Sequence, residues 1–214
     1  MIRAELPRRL WGALRALGAA VALLASAPAA AQDPRADPRA MTIIGNDANA
    51  RRCSANVMAG DSTDATLEAC TRALSYRRIT RDGQIQLLVN RGVTYLRRQQ
   101  NEEAVGDFDG VIALDPRNAE AHLNRGATLV QLRRYGPAIA SITEALSLGV
   151  REPHKAYFNR GIAREALNDL RGAYEDYSTA LQIEPDWGPA NAELARFARG
   201  RREHLATVLD EPTP

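Results

Sequence analysis

The chain has 214 residues, room for one domain or a short repeat array. Only 5% of them are aromatic, and Lys155 is the single lysine, so large side chains do not dominate the core and arginine carries almost all the positive charge. Residues 1–31 hold four arginines and one glutamate, which leaves 24 basic and 25 acidic residues beyond them and no electrostatic footprint for nucleic acid or an anionic membrane.

In chain order, the first element is an address. Arg3, Arg8 and Arg9 form a basic start, Leu10 to Ala27 is mostly apolar, and Ala29-Ala30-Ala31 puts small residues where a signal peptidase reads. This is the layout of a secretory signal over residues 1–31, cleaved before Gln32. An uncleaved anchor helix is the alternative, but the apolar run barely reaches the ~20 residues a span needs and Arg15 interrupts it. Arg8-Arg9 also permits twin-arginine export. The expected location is periplasmic or secreted, with no membrane span once the signal is gone. Residues 32–45 follow as a linker, turn-prone at Asp33-Pro34 and Asp37-Pro38.

Residues 46–84 read as a helical hairpin, with helices over 46–59 and 62–76 and a turn at Gly60-Asp61. The chain's two cysteines, Cys53 and Cys70, lie symmetrically about that turn, so an antiparallel pair brings them to one height. In an exported protein an even count suggests a disulfide, and two buried free thiols are the other reading. No histidine lies near enough to suggest a metal site, and the Cys-x-x-Cys redox pattern is absent.

A repeat follows. Asn90-Arg91-Gly92, Asn124-Arg125-Gly126 and Asn159-Arg160-Gly161 are spaced by 34 and 35 residues. Twelve residues after each glycine stands Ala104, Ala138 or Ala173, and four further on Phe108, Ile142 or Tyr177. Asp115-Pro116 and Glu184-Pro185 end the first and third units, and the middle one ends at Leu148-Gly149-Val150 with Pro153 beyond. The spacing predicts that Gly92 and Ala104 face one another across a hairpin and that Phe108 wedges against the next. One such hairpin cannot bury its apolar face, so the units must stack.

These segments resemble tetratricopeptide repeats, assigned to 85–118, 119–153 and 154–187. The resemblance implies an all-α, right-handed solenoid of antiparallel helical hairpins. It makes 46–84 a degenerate unit, with Cys53 in the place of Arg91 and Cys70 in that of Phe108, and Arg77 to Gln84 as extra loop. Residues 188–209 resemble a terminal capping helix, followed by a tail over 210–214.

No cofactor, metal set or catalytic constellation emerges: His122, His154 and His204 lie apart, and no phosphate loop appears. Asp107 and Asp176 occupy matching sites, as Arg91 and Arg160 do, and read as ion pairs within the solenoid. Ser141 stands where the middle unit would place its aspartate, so Arg125 needs another partner. The resemblance also implies a concave groove lined by the first helix of each unit. It would carry Asn90, Asn124 and Asn159, with Val93, Leu123, Ala127, Phe158 and Ile162 beside them. Gln86, Glu120 and Lys155 start the three helices. The asparagines either contact a ligand or bond neighbouring backbone. The basic set with which heat-shock co-chaperones of this family clamp a terminal carboxylate is missing, apart from Arg97 and Lys155. The expected function is a non-catalytic scaffold binding a protein or peptide in the periplasm or cell envelope; the alternative is an accessory subunit of an envelope enzyme or secretion complex.

Overall fold

The computed structural model describes residues 47–77 and 79–210, with side chains as far as residue 200. The signal, the cleavage site before Gln32 and the linker 32–45 lie outside the described residues, as do residues 211–214. Nine helices and no strand are present among the described residues: α1 (Ala48–Met58), α2 (Asp64–Leu74), α3 (Arg81–Arg97), α4 (Asn101–Leu114), α5 (Ala119–Gln131), α6 (Tyr135–Ser147), α7 (Pro153–Ala166), α8 (Leu170–Ile183) and α9 (Gly188–Asp210). No described helix is long and apolar enough to cross a membrane.

Local chemistry sets the helix starts. Asp47 accepts hydrogen bonds from the amides of Asn49 and Ala50 at 2.7 and 2.9 Å, Asn118 caps α5 through Ala121, and Asp169 caps α8 through Gly172. Two boundaries differ from expectation. Thr80 accepts from the Gly83 amide at 3.1 Å, so Arg81 to Gln84 are the first turn of α3 rather than loop. Pro153 opens α7 rather than closing the preceding unit, because a proline gives up nothing at a helix position whose N–H has no partner anyway.

Each helix packs on its successor, which makes antiparallel hairpins of α1–α2, α3–α4, α5–α6 and α7–α8, with α9 against α8. The first helices also touch in a row: α1 on α3, α3 on α5, α5 on α7. The repeated glycines explain how close the hairpins come. A Cβ at Gly92 would lie 2.8 Å from the Phe108 ring and one at Gly161 would lie 2.6 Å from Tyr177; at Gly126 the clash is with Ile142. The glycine makes room for the large residue of its own hairpin. Three sequential cores result, centred on Phe108, on Ile142 and on Tyr177. The last is aromatic, with the Phe158 ring tilted 5.6 Å from that of Tyr177 and edge-on to Trp187 at 4.8 Å.

The arginine column is paired as the matching sites suggested. Arg91 grips both oxygens of Asp107 (2.6 and 2.8 Å), and Arg160 grips Asp176 (2.8 and 3.0 Å). These bonds raise the pKa of both guanidiniums. Arg125 reaches back to Asp109 of the preceding unit at 2.6 Å, while Ser141 bonds the His122 carbonyl. At three equivalent turns the chain enters left-handed backbone at Gln99 (φ 62°), Arg133 (φ 58°) and Asn168 (φ 66°). Only asparagine among these tolerates that conformation well. Cys53 and Cys70 are joined, their Cα atoms 4.9 Å apart.

His154 sits edge-on to Trp187, with ring centroids 4.9 Å apart. Burial pushes its pKa below the ordinary value. The neutral ring therefore favours the fold, a contribution present above the unfolded value of ~6.5 and lost as pH falls through that value towards the lower folded one. Thermal melts of the full chain should show a stability loss between about pH 7 and pH 5 that is smaller in His154→Gln. Equal pH slopes in the two proteins would rule His154 out as the source.

Candidate functional site

The inner row of first helices is built from α3, α5 and α7, and the three asparagines fall on it at equivalent points. Their surroundings differ. Asn90 is 2% exposed and satisfied within the chain: its Nδ2 donates to Ser54 Oγ on α1 at 3.1 Å, and its Oδ1 accepts from Gln86 Nε2 at 3.2 Å. Asn124, 6% exposed, makes no side-chain hydrogen bond among the described residues. Asn159, 2% exposed, has an Oδ1 that is buried and without a partner. Neither α3 nor α5 supplies the hydroxyl that Ser54 supplies on α1.

The apolar residues expected to face a ligand are mostly core. Val93, Leu123, Ala127 and Phe158 are buried. Phe158 in particular is held between Tyr177 and Trp187, which corrects the expectation that its ring meets a peptide's side chains. Of the eight groove residues only Ile162 is half-buried rather than buried. The asparagine amides, not the apolar neighbours, are the chemically unfinished part of this wall.

The helix starts add a second row. Glu120 Oε1 accepts from both the backbone N and the Nε of Arg151 at 3.1 Å, while its Oε2 is buried without a partner. Lys155, buried one turn before Asn159, holds Glu152 at 2.5 Å. Sequence reasoning placed Glu120 and Lys155 at the right height but did not see that the loop before α7 would occupy one carboxylate oxygen and leave the other bare. Nothing in the spacing signals that loop's path.

The two cations singled out in the sequence are both in use: Arg97 donates to the Val57 carbonyl at 2.9 Å, and Lys155 is closed on Glu152. At the far end Arg196 lies across Glu165 at 2.6 Å, and Tyr177 donates to the same carboxylate at 3.1 Å. Burial holds that phenol protonated well above its ordinary pKa. His122 is a structural side chain, its Nε2 lying 3.0 Å from the Pro116 carbonyl oxygen. No group of three or more His, Cys, Asp or Glu that could hold a metal is present among the described residues.

Residues 92–132 match a family model described as TPR repeat, and residues 154–186 match one described as tetratricopeptide repeat. The chain is 34% identical over 121 residues to RNA polymerase II-associated protein 3 of Xenopus tropicalis, covering 56% of this chain and 18% of that protein. It is 30% identical over 91 residues to serine/threonine-protein phosphatase 5 of Homo sapiens, covering 42% of this chain and 18% of that one. The chain thus spans about a fifth of the length of these relatives. Among solved structures it is similar to the first TPR of Spaghetti (RPAP3) bound to the HSP90 peptide SRMEEVD, with 28% identity and a TM-score of 0.52 over 56% of this chain and 94% of that one. MamA from Desulfovibrio magneticus RS-1, at 19% identity and a TM-score of 0.62 over 78% and 96%, shares the fold. The chain carries tetratricopeptide repeats in an all-helical solenoid.

Proposed function

We propose that the array is a non-catalytic scaffold that holds a peptide segment of another protein along α3, α5 and α7. One contrast carries this reading. Asn90, at the end shielded by α1, is bonded through both its amide atoms inside the chain, whereas the Oδ1 of its equivalent Asn159 is buried without a partner. A buried amide left without a partner costs stability, on the order of 1–3 kcal/mol, unless something outside the chain completes it. A peptide main chain offers alternating donors and acceptors that suit a column of amides. Two similar repeat domains bear on the reading: one is described with the HSP90 peptide SRMEEVD, and the second TPR domain of human RPAP3 with the HSP70 peptide SGPTIEEVD.

The setting we propose is the periplasm or cell envelope, after cleavage of the signal. Supporting it are the basic-apolar-small order of residues 1–31 and the Cys53–Cys70 bond, which suits an oxidising compartment. A partner that is a resident enzyme or secretion complex would make the chain an accessory subunit by the same contacts.

The test uses an array of immobilised dodecapeptides probed with the full chain. Replacing Asn124 and Asn159 with alanine is expected to weaken the bound set about tenfold, one to two hydrogen bonds' worth. Asn159→Ala should leave the melting temperature unchanged or raised, since the residue it removes is unsatisfied. Arg133→Ala with Arg134→Ala, at the outer turn, should leave binding intact. Should the turn changes abolish binding and the asparagine changes not, the peptide lies elsewhere.

A further inference from the structure

We propose, resting on that groove, that the peptide it holds presents a basic side chain to Glu120. The helices α5 and α7 each bring one buried, unpartnered acceptor to the wall: Glu120 Oε2 and Asn159 Oδ1. Acceptors call for a donor from outside. Cations of this part of the chain are already committed within it: Arg151 to Glu120 Oε1, Lys155 to Glu152 and Arg125 to Asp109. A carboxylate entering here would lose its water and find no free donor, the costliest case for a buried charge. An ammonium or guanidinium would instead complete the second lobe of Glu120. Arg151 does not compete for that lobe, because it holds the other oxygen from the exposed side.

The spacing admits a single chain across both points. Glu120 and Asn124 lie one turn apart on α5, and Lys155 and Asn159 one turn apart on α7, ~6 Å in each case. Packed helix axes lie ~8–10 Å apart and an extended peptide advances ~3.3 Å per residue, so a basic side chain at Glu120 leaves a backbone N–H about three residues along for Asn159 Oδ1. The neighbouring charge of Lys155 does not repel the ligand strongly, since Glu152 lies 2.5 Å from its Nζ. The site selects the opposite charge from the acidic peptides SRMEEVD and SGPTIEEVD described with the similar domains.

The experiment is a positional scan on the same dodecapeptide array, with Lys, Arg, Asp or Glu substituted in turn at each position of a bound peptide. The full chain should prefer Lys or Arg over Asp or Glu about tenfold at one position, a measurement that needs no variant. Glu120→Gln, close to isosteric, should reduce the preference to about twofold or less. Arg151→Ala removes the internal partner of Glu120 but keeps the acceptor, and should retain or enlarge it. Circular dichroism and melting temperature check that both variants fold. An acidic preference in the unmodified chain overturns the proposal and leaves the groove standing. Loss of the preference in Arg151→Ala as well as in Glu120→Gln makes Glu120 structural and also overturns it. If alanine at Asn124 and Asn159 leaves peptide binding untouched, the groove itself fails and this inference with it.

Discussion

Asp176→Ala is expected to cost the third unit about 3–5 kcal/mol, the range for breaking a buried ion pair by removing one partner. The side chain of Asp176 is 3% exposed and receives Arg160 in a two-pronged bond, with Arg164 a further 3.0 Å away. Alanine would leave the Arg160 guanidinium, itself 13% exposed, with only Thr143 and the face of Tyr157 for company. Arg164 has an alternative in Asp169 at 3.8 Å, so the penalty falls mainly on Arg160. Asp107→Ala should cost less because Arg91 is more open, and Asp109→Ala should fall within about 1 kcal/mol because that carboxylate is 51% exposed. Replacing Arg160 and Asp176 together with methionine and leucine should recover most of the loss, which distinguishes an orphaned charge from lost packing. Urea titration gives the ordering, read with local hydrogen exchange because stacked repeats need not unfold in one step. A value for Asp176→Ala near that for Asp109→Ala would overturn this account of the column.

Those pairs were visible before the structure, because Arg91 with Asp107 and Arg160 with Asp176 recur in phase with the glycines. A repeat writes each intra-hairpin contact several times, so its spacing survives in the sequence. Contacts between units are written once. The partner of Arg125 is therefore not legible: Asp109 belongs to the preceding hairpin and has no counterpart bonded the same way elsewhere. The burial of the groove residues is hidden for the same reason. A first helix has one face towards its own partner helix and another towards the next unit, and helical period alone does not say which apolar residues the neighbour covers. Phe158 looked available from its position, yet Trp187, contributed after α8, closes over it.

The asparagines show how far equivalence by position extends. Three residues of one type at one site of three repeats suggest one role, but what meets them from the preceding unit differs. At the first, Ser54 on the short helix α1 satisfies Asn90. At the third, no such partner meets the Asn159 oxygen, which stays buried and unpaired. The degenerate first hairpin thus closes one end of the amide column, which leaves the remaining length of α5 and α7 as the part with binding capacity.

Loss of the Cys53–Cys70 bond is the second large effect, about 3 kcal/mol for a loop of this size on the chain-entropy account, and felt almost wholly before α5. Helices α1 and α2 have 11 residues each, below the length at which a helix holds by itself. Their core contribution is slight: α1 buries only Ala50, Cys53 and Val57. The bond makes good what the missing aromatic wedge would have supplied, since Cys70 stands where Phe108 stands one unit later. Reductant, or alanine at both cysteines, should speed amide exchange across α1 and α2 and release Asn90 from Ser54, the residue next to Cys53. Exchange in α7 and α8 should hardly change, because each unit leans only on its neighbours. The same bond tests the export reading: peptide mapping without reductant, on protein taken from its own cells, should recover Cys53 and Cys70 joined in a chain that begins at Gln32. Free alkylation of both cysteines in that material, or an N-terminus still at Met1, would remove the oxidising compartment from the account. Uniform acceleration of exchange from α1 to α8 on reduction would show instead that the first hairpin nucleates the whole array.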